Sequence, residues 1–423
     1  MKLGDDAAEA SYDRHSVPTV LVLGASVSQL AAIEQAKAAG WRVIAVDGDP
    51  NAVGLAAADV AEVVDFSELE RVVDIGRRHK IDAVVAISTD RAVPIAAAVA
   101  ERLDLPTIGT ETARLMTDKA AMRSRLEQCG IPQPLFSVLN GKVEPTWELE
   151  NVGVPAVLKP VDSGGQRGVY RISGHADLAE HLPDALAKSR TRRAILERYI
   201  EGHELNGIVV ARGGEPVLLT LSDRLRPPGI GFGVGWIHLY PSQLPKPHLD
   251  AAADVAVRAV RALGLQDGIA FPQLLVTDLG EVFIVEVAAR IPAGQMADLV
   301  RLGTGIDLVE IALAQGHGAT ITDAMVEPRF QRPIAIRFLT ASPGILPTGT
   351  VTSVAGLDHV CESNGVLEAG LYIQPGETIR PVQVDADRRG YIIATADDPL
   401  AALELAQQAS LRLRVRVSGS SAL

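Results

Sequence analysis

Lys159-Pro160-Val161-Asp162-Ser163-Gly164-Gly165-Gln166-Arg167-Gly168-Val169 sets a lysine at the end of an apolar strand and a glycine loop directly behind it. A lysine is a mobile point charge suited to phosphate, and glycines accept positive φ, which lets backbone N–H groups close on phosphate oxygens. A plain hairpin turn is the other reading of the loop. Downstream, Leu196-Glu197-Arg198-Tyr199-Ile200-Glu201-Gly202-His203-Glu204 carries carboxylates on either side of a glycine. That is the composition of a hinge whose backbone meets adenine while Glu197 and Glu204 accept from its amine and from ribose hydroxyls. Upstream, Lys119 opens an amphipathic helix behind Thr117 and Asp118, either of which suits the cap. The chain has eight lysines, so two at such patterned positions draw notice as phosphate ligands; a surface lysine on an amphipathic helix is the other reading of Lys119, and an exposed loop lysine that of Lys159.

A third element completes the pattern. In Phe271-Pro272-Gln273-Leu274-Leu275-Val276-Thr277-Asp278-Leu279-Gly280-Glu281-Val282-Phe283-Ile284-Val285-Glu286, a two-residue turn at Leu279-Gly280 pairs Asp278 with Glu281. Counting outward sets Gln273 opposite Glu286, with Cβ atoms about 5 Å apart on one face. Two oxygen ligands so placed suit Mg²⁺, which keeps several waters and takes its remaining ligands from phosphates. The period of two then puts Ala288 and Arg290 on that same face, so Arg290 is expected to point at the site and neutralise a transferring phosphoryl group or an acyl-phosphate oxyanion.

Working outward, 423 residues with 47% hydrophobic content predict two to four domains, α/β and α+β in class. Residues 1–16 are polar and aperiodic and read as a disordered leader. Strands at 19–24, 41–47, 62–65 and 82–87, with a helix over 28–39, predict a doubly wound domain over 17–113. Its first turn, Gly24-Ala25-Ser26, puts Ser26 and Gln29 where a dinucleotide fingerprint needs glycine, which argues against NAD. A mixed domain follows over 114–330, with a lid subdomain at about 133–200. A separate α+β cap is expected over 331–423, with strands at 333–339 and 391–395, a helix from Pro399 to Ala409, and an edge strand 411–417 whose arginines face solvent. The segment 223–233 reads as a long glycine-rich loop over an acceptor site. Arg224 or Arg226 would bind a substrate carboxylate there and His238 would face the pocket; solvent-facing or structural roles are the other reading of all three. A net charge of −12 argues against a nucleic-acid surface and leaves room for local basic pockets. No apolar run is long enough to span a bilayer and the opening residues lack a signal-peptide core, so a cytoplasmic protein without membrane attachment is expected. Cys129 and Cys361 have no metal spacing and read as small, reduced apolar fillers.

These residues, in this order, resemble the ATP-grasp superfamily from about 19 to 417, an ATP-grasp fold behind a pre-ATP-grasp domain. The resemblance assigns Lys119, Lys159, Gly164, Gly165, Gly168, Glu197, Arg198, Tyr199, Ile200 and Glu204 to ATP. It assigns Gln273 and Glu286 to Mg²⁺ and Arg290 to catalysis. The superfamily usually has Asn where Ala288 stands, which removes an oxygen ligand and leaves either one or two metal ions. The stretch from Ser342 to Ala396 is similar to the C-terminal domain of L-amino acid ligases. That likeness implies ATP-dependent joining of a small carboxylate and an amine through an acyl phosphate, and admits a homodimer. A bicarbonate-activating or carbamoyl-forming enzyme and a weakly catalytic nucleotide-binding regulator are the rivals.

Overall fold

The computed structural model describes residues 17–141, 146–227 and 234–418; the expected leader lies outside them. Strand β1 (Thr19–Leu23) is buried along its whole length, as expected of a parallel strand covered on both faces. With β2 (Arg42–Asp47), β3 (Val60–Val63) and β4 (Ala83–Ala86) it forms a parallel sheet ordered β3-β2-β1-β4. Strand β3 starts two residues before its expected place because β2 sets its register, from Ile44 opposite Val60 to Asp47 opposite Val63. Ser26 caps the helix Val27–Ala38, and Gln29 completes the box. The Gln29 amide lies over Gly24, where a Cβ would stand 3.4 Å from it. It also donates to Ile87 O at 2.8 Å. The turn is therefore filled by the protein's own side chain.

The lid is a second sheet, β5 (Phe136–Leu139), β6 (Ala156–Pro160), β7 (Tyr170–Ile172) and β8 (Ala194–Arg198), ordered β5-β8-β6-β7. Helices Thr146–Val152 and His175–Ala187 cover one face, burying Leu149, Val152 and Leu178 against Leu139, Leu158 and Ile172.

The largest sheet begins with β9 (His203–Arg212), β10 (Glu215–Leu225), β11 (Ile237–Tyr240), β12 (Gly268–Val276) and β13 (Val282–Ala288). The chain then gives β14 (Ile334–Phe338), β15 (Gly349–Ala355), β16 (Val366–Leu371), β17 (Thr378–Ile379), β18 (Gly390–Ala394) and β19 (Arg414–Ser418). The order is β13-β12-β9-β10-β11-β14-β18-β16. The C-terminal region is α+β as expected, but it is not a separate body. Its strands β14, β18 and β16 extend the central sheet from β11, and only β17-β15-β19 form a small sheet of their own. Helix Lys246–Ala262 lies on the central sheet through Ala252, Val255, Ala256, Ala259 and Val260, a three-and-four spacing that keeps one stripe inward.

Strand β19 pairs only with β15, and Arg412, Arg414 and Arg416 are exposed, which blunts the edge. Both cysteines are exposed and free, which corrects the expectation of buried fillers: Cys129 follows the last turn of one helix and Cys361 ends another, each on the solvent side.

Candidate active site

The lid sheet and the central sheet face one another across a cleft. Lys119, Lys159, Gly164, Gly165, Glu197, Gln273 and Glu286 all line it, as do Arg198, Tyr199, Ile200, Glu204, Arg224 and Arg226. Gly168, His238 and Arg290 do not.

Lys119 is the first residue of the helix Lys119–Gln128, capped by Asp118, whose Oδ1 accepts from the amides of Ala120 and Ala121. Its Nζ donates to Ser163 O at 3.0 Å and to Glu286 Oε1 at 3.1 Å, so it ties the glycine loop to the far wall. Lys159 lies within β6, with its Nζ 2.8 Å from Glu197 Oε2. The other oxygen of Glu197 accepts from Arg123 Nε at 2.9 Å. Burial alone would raise the Glu197 carboxyl; Arg123 and Lys159 outweigh it and hold the group at about 2. Both oxygens are thus engaged inside the protein, which revises the expectation that Glu197 accepts from the nucleotide. Burial pushes Lys159 below the usual lysine range, and repulsion from Arg123 and Lys119 adds to this despite Glu197. A phosphate would relieve that strain.

The hairpin reading of the glycine loop holds, since residues 161–169 connect the antiparallel pair β6 and β7. Gly165 has φ +68° and open space where a Cβ would stand. Gly168, at φ +74°, would bring a Cβ to 3.0 Å from Lys188 and 3.1 Å from Pro160, so it closes the loop rather than facing the cleft. Along the hinge, the amides of Arg198 and Tyr199 donate to Leu135 O and Pro155 O within the lid.

Gln273 does stand opposite Glu286, but the turn differs. Thr277 N bonds Glu281 O and Gly280 N bonds Thr277 O, so the loop is three residues long, with Gly280 at φ +81°. A bulge between Gln273 and Leu274 on one strand, at Val285 on the other, restores the count. It keeps Val282, Ile284 and Val287 in the core while Val285 and Glu286 both reach the cleft. An amide oxygen and one carboxylate facing each other fit a cation carried in on phosphates. Among the described residues no cluster of three His, Cys, Asp or Glu side chains could hold a metal by itself. Ala288 packs in the apolar core and supplies no further oxygen.

Arg290 departs from expectation. The alternation ends with β13 at Ala288, and Ile291 bridges in parallel to Ile87 of the N-terminal domain. Arg290 instead donates to both oxygens of Asp90, at 2.7 and 3.0 Å. Asp90 itself lies against the glycine loop, 2.8 Å from where a Gly164 Cβ would stand.

Arg224 and His238 are cross-strand partners on β10 and β11. The long loop expected between them falls partly on residues 228–233, outside the described residues. Glu204 pairs with Arg224 and, at 2.9 Å, with Arg226 Nε, so the carboxylate expected at ribose and the two arginines expected at substrate converge. His238 is buried, with the Asn206 amide 3.2 Å from its Nδ1. Burial, then the charges of Arg224 and Arg388, push it well below the ordinary histidine value, so it is neutral at pH 7.

Sequence reasoning missed Arg123 and Asp90. Arg123 is 1% exposed and also donates to the carbonyls of Ile284 and Val285 at 2.9 and 2.6 Å. Its spacing of four from Lys119 was a usable signal, because it places both on one helix face. Asp90 follows the last parallel strand, where ligand crevices of open α/β sheets lie.

The chain matches three family models. They are an ATP-grasp N-terminal domain over residues 33–107, an ATP-grasp domain over 152–298 and L-amino acid ligase C-terminal domain 2 over 337–418. It is 26% identical to an uncharacterised protein of Sinorhizobium fredii, over 95% of this chain and 83% of that one. It is 27% identical to a formate-dependent phosphoribosylglycinamide formyltransferase of Ignicoccus hospitalis, over 93% and 95%. The crystal structure of an L-amino acid ligase from Bacillus licheniformis superposes with a TM-score of 0.80 at 21% identity, covering 95% and 99% of the two chains.

Proposed function

Because this chain is an ATP-grasp ligase whose C-terminal domain is of the L-amino acid ligase kind, we propose that it joins a small carboxylic acid, such as an amino acid, to an amine through an acyl phosphate. The observation that carries the reading is the convergence of Lys119, Lys159, Gln273 and Glu286 on one cleft. The acid's carboxylate oxygen attacks the γ-phosphorus of ATP and ADP leaves; the amine then attacks the acyl carbon, phosphate leaves, and the amine's proton is lost to solvent.

Lys119 and Lys159 hold the α- and β-phosphates, and Glu197 keeps the Lys159 ammonium aimed and charged. The loop with Gly164 and Gly165 covers the terminal phosphate and excludes water. Gln273 and Glu286 would hold Mg²⁺, which spreads the phosphate charge when bound. Glu286, which accepts from Lys119 here, would turn to the metal and leave Lys119 to phosphate. Arg290, positioned by Asp90, sets the field beside the transferring group. Arg224, Arg226 and the neutral His238 lie toward the substrate side, with the arginines offering charge to a carboxylate. No helix among the described residues is long and apolar enough to cross a membrane.

The test is ADP and phosphate release with Mg²⁺-ATP across acids and amines, each alone and in pairs, with bicarbonate alone as a control. Release is expected to need an acid and to rise with an amine, and Glu286→Ala is expected to abolish it. Release with bicarbonate alone would move the assignment to carboxylation, and tight ATP binding without turnover would move it to a regulator.

A further inference from the structure

Arg337 stands apart from the other buried cations of the described residues. Lys119, Arg123 and Lys159 each face a carboxylate. Arg337, on β14, is 7% exposed, and its guanidinium lies 3.7 Å from the centroid of the Trp236 ring. The ring face offsets part of the cost of burying that charge. Its Nη1 is buried and bonds to nothing. Burial alone pushes the group down to about 10, with no carboxylate of the described residues close enough to hold it up. A buried cation without a counter-ion is a costly arrangement, and a planar guanidinium fork is shaped for a carboxylate.

The side chain lines an open cleft beside the helix Pro399–Ser410. Gln407, Gln408 and Ser410 give it polar walls, and Ile345 and Leu411, 40% and 75% exposed, give it apolar ones. Glu404 shares the cleft but makes no ion pair with Arg337. None of these residues lines the cleft between lid and central sheet.

We propose that this second cleft binds a small amphiphilic carboxylate, its head paired with Arg337 and its short apolar tail on Ile345 and Leu411. The recess suits a small molecule, because a cation this enclosed is reached only by a compact head group. Trp236 supplies a reporter. It stacks on Arg337, and the chain's other two tryptophans, Trp41 and Trp147, can be changed to phenylalanine.

In that background, hexanoate, hexanamide and inorganic phosphate are titrated against Trp236 emission. Hexanoate is expected to give a saturable change and hexanamide none. Gln408→Glu places a carboxylate at the mouth from an exposed helix position, and is expected to weaken hexanoate by about tenfold or more with the melting temperature unchanged. Arg337→Met is expected to remove the response, and Arg224→Ala to leave it, since Arg224 belongs to the other cleft. A hexanoate response that survives both Gln408→Glu and Arg337→Met would overturn the site. Inorganic phosphate binding as tightly as hexanoate would overturn the carboxylate assignment. Self-association that Gln408→Glu abolishes would overturn it too, making a second copy the occupant.

Discussion

Glu197 is the residue on which the cleft balances. It compensates Arg123 and Lys159 at once, so Glu197→Gln leaves two buried cations facing an amide, and a loss of about 3–5 kcal/mol is expected in urea melts. The pH dependence follows from the same carboxyl. The folded protein holds it at about 2 against an ordinary 4.5, so the folded state binds the proton less readily than the unfolded one. The stabilisation is complete above 4.5 and is lost as the pH falls from there toward 2, about 3 kcal/mol in all. Melts of the Glu197→Gln variant should lack that acid slope; equal slopes in both proteins would contradict the pairing. The lysines were legible in the sequence because each lies beside a recognisable element boundary, Lys119 at the start of a helix and Lys159 near the end of a strand. The partners that set their charge were not, since Arg123 and Glu197 lie 74 positions apart and no local pattern joins them.

At the scale of elements, the glycine loop and the β12–β13 hairpin show different kinds of legibility. In the loop, composition alone identified the positions needing freedom, and the structure separates their reasons. Gly165→Ala meets only a backbone cost, about 1 kcal/mol at its positive φ. Gly164→Ala meets Asp90 at 2.8 Å and must disturb the Asp90–Arg290 pair. We therefore expect Gly164→Ala to raise the Michaelis constant for ATP more than Gly165→Ala does, as initial-rate measurements would show; the reverse order would detach Asp90 from the site. In the hairpin, counting gave the correct pair through an incorrect turn. A three-residue loop and a bulge contain the same number of residues between Gln273 and Glu286 as a tight turn without one. The bulged form prevails because it buries Ile284 and Val282 beneath the helix Lys246–Ala262. Alternation is a local rule, and a bulge is decided by what packs behind the strand.

For the whole molecule, the N-terminal sheet and the existence of a second, smaller sheet were readable from periodicity, and most residues of the cleft between that sheet and the central one from motif. The extent of the central sheet was not. Strand order is set by pairings far apart in sequence, and β11 with β14 joins Tyr240 to Ile334. A chain ending at Arg332 would leave the β11 edge bare, and we expect it to be insoluble or to aggregate; a soluble, monomeric fragment that binds ATP would show that the cap is dispensable after all. The shared sheet also bears on how the protein is made. Strand β11 carries Ile237 and His238 beside the cleft, yet its outer edge has no partner until residues 334–338 are synthesised, and β14 in turn waits for residues 390–394. While the ribosome works through that interval, the nascent chain would hold an almost finished cleft with an open, sticky flank, so we expect the burden on chaperones to fall late in translation, after most of the cleft has been made.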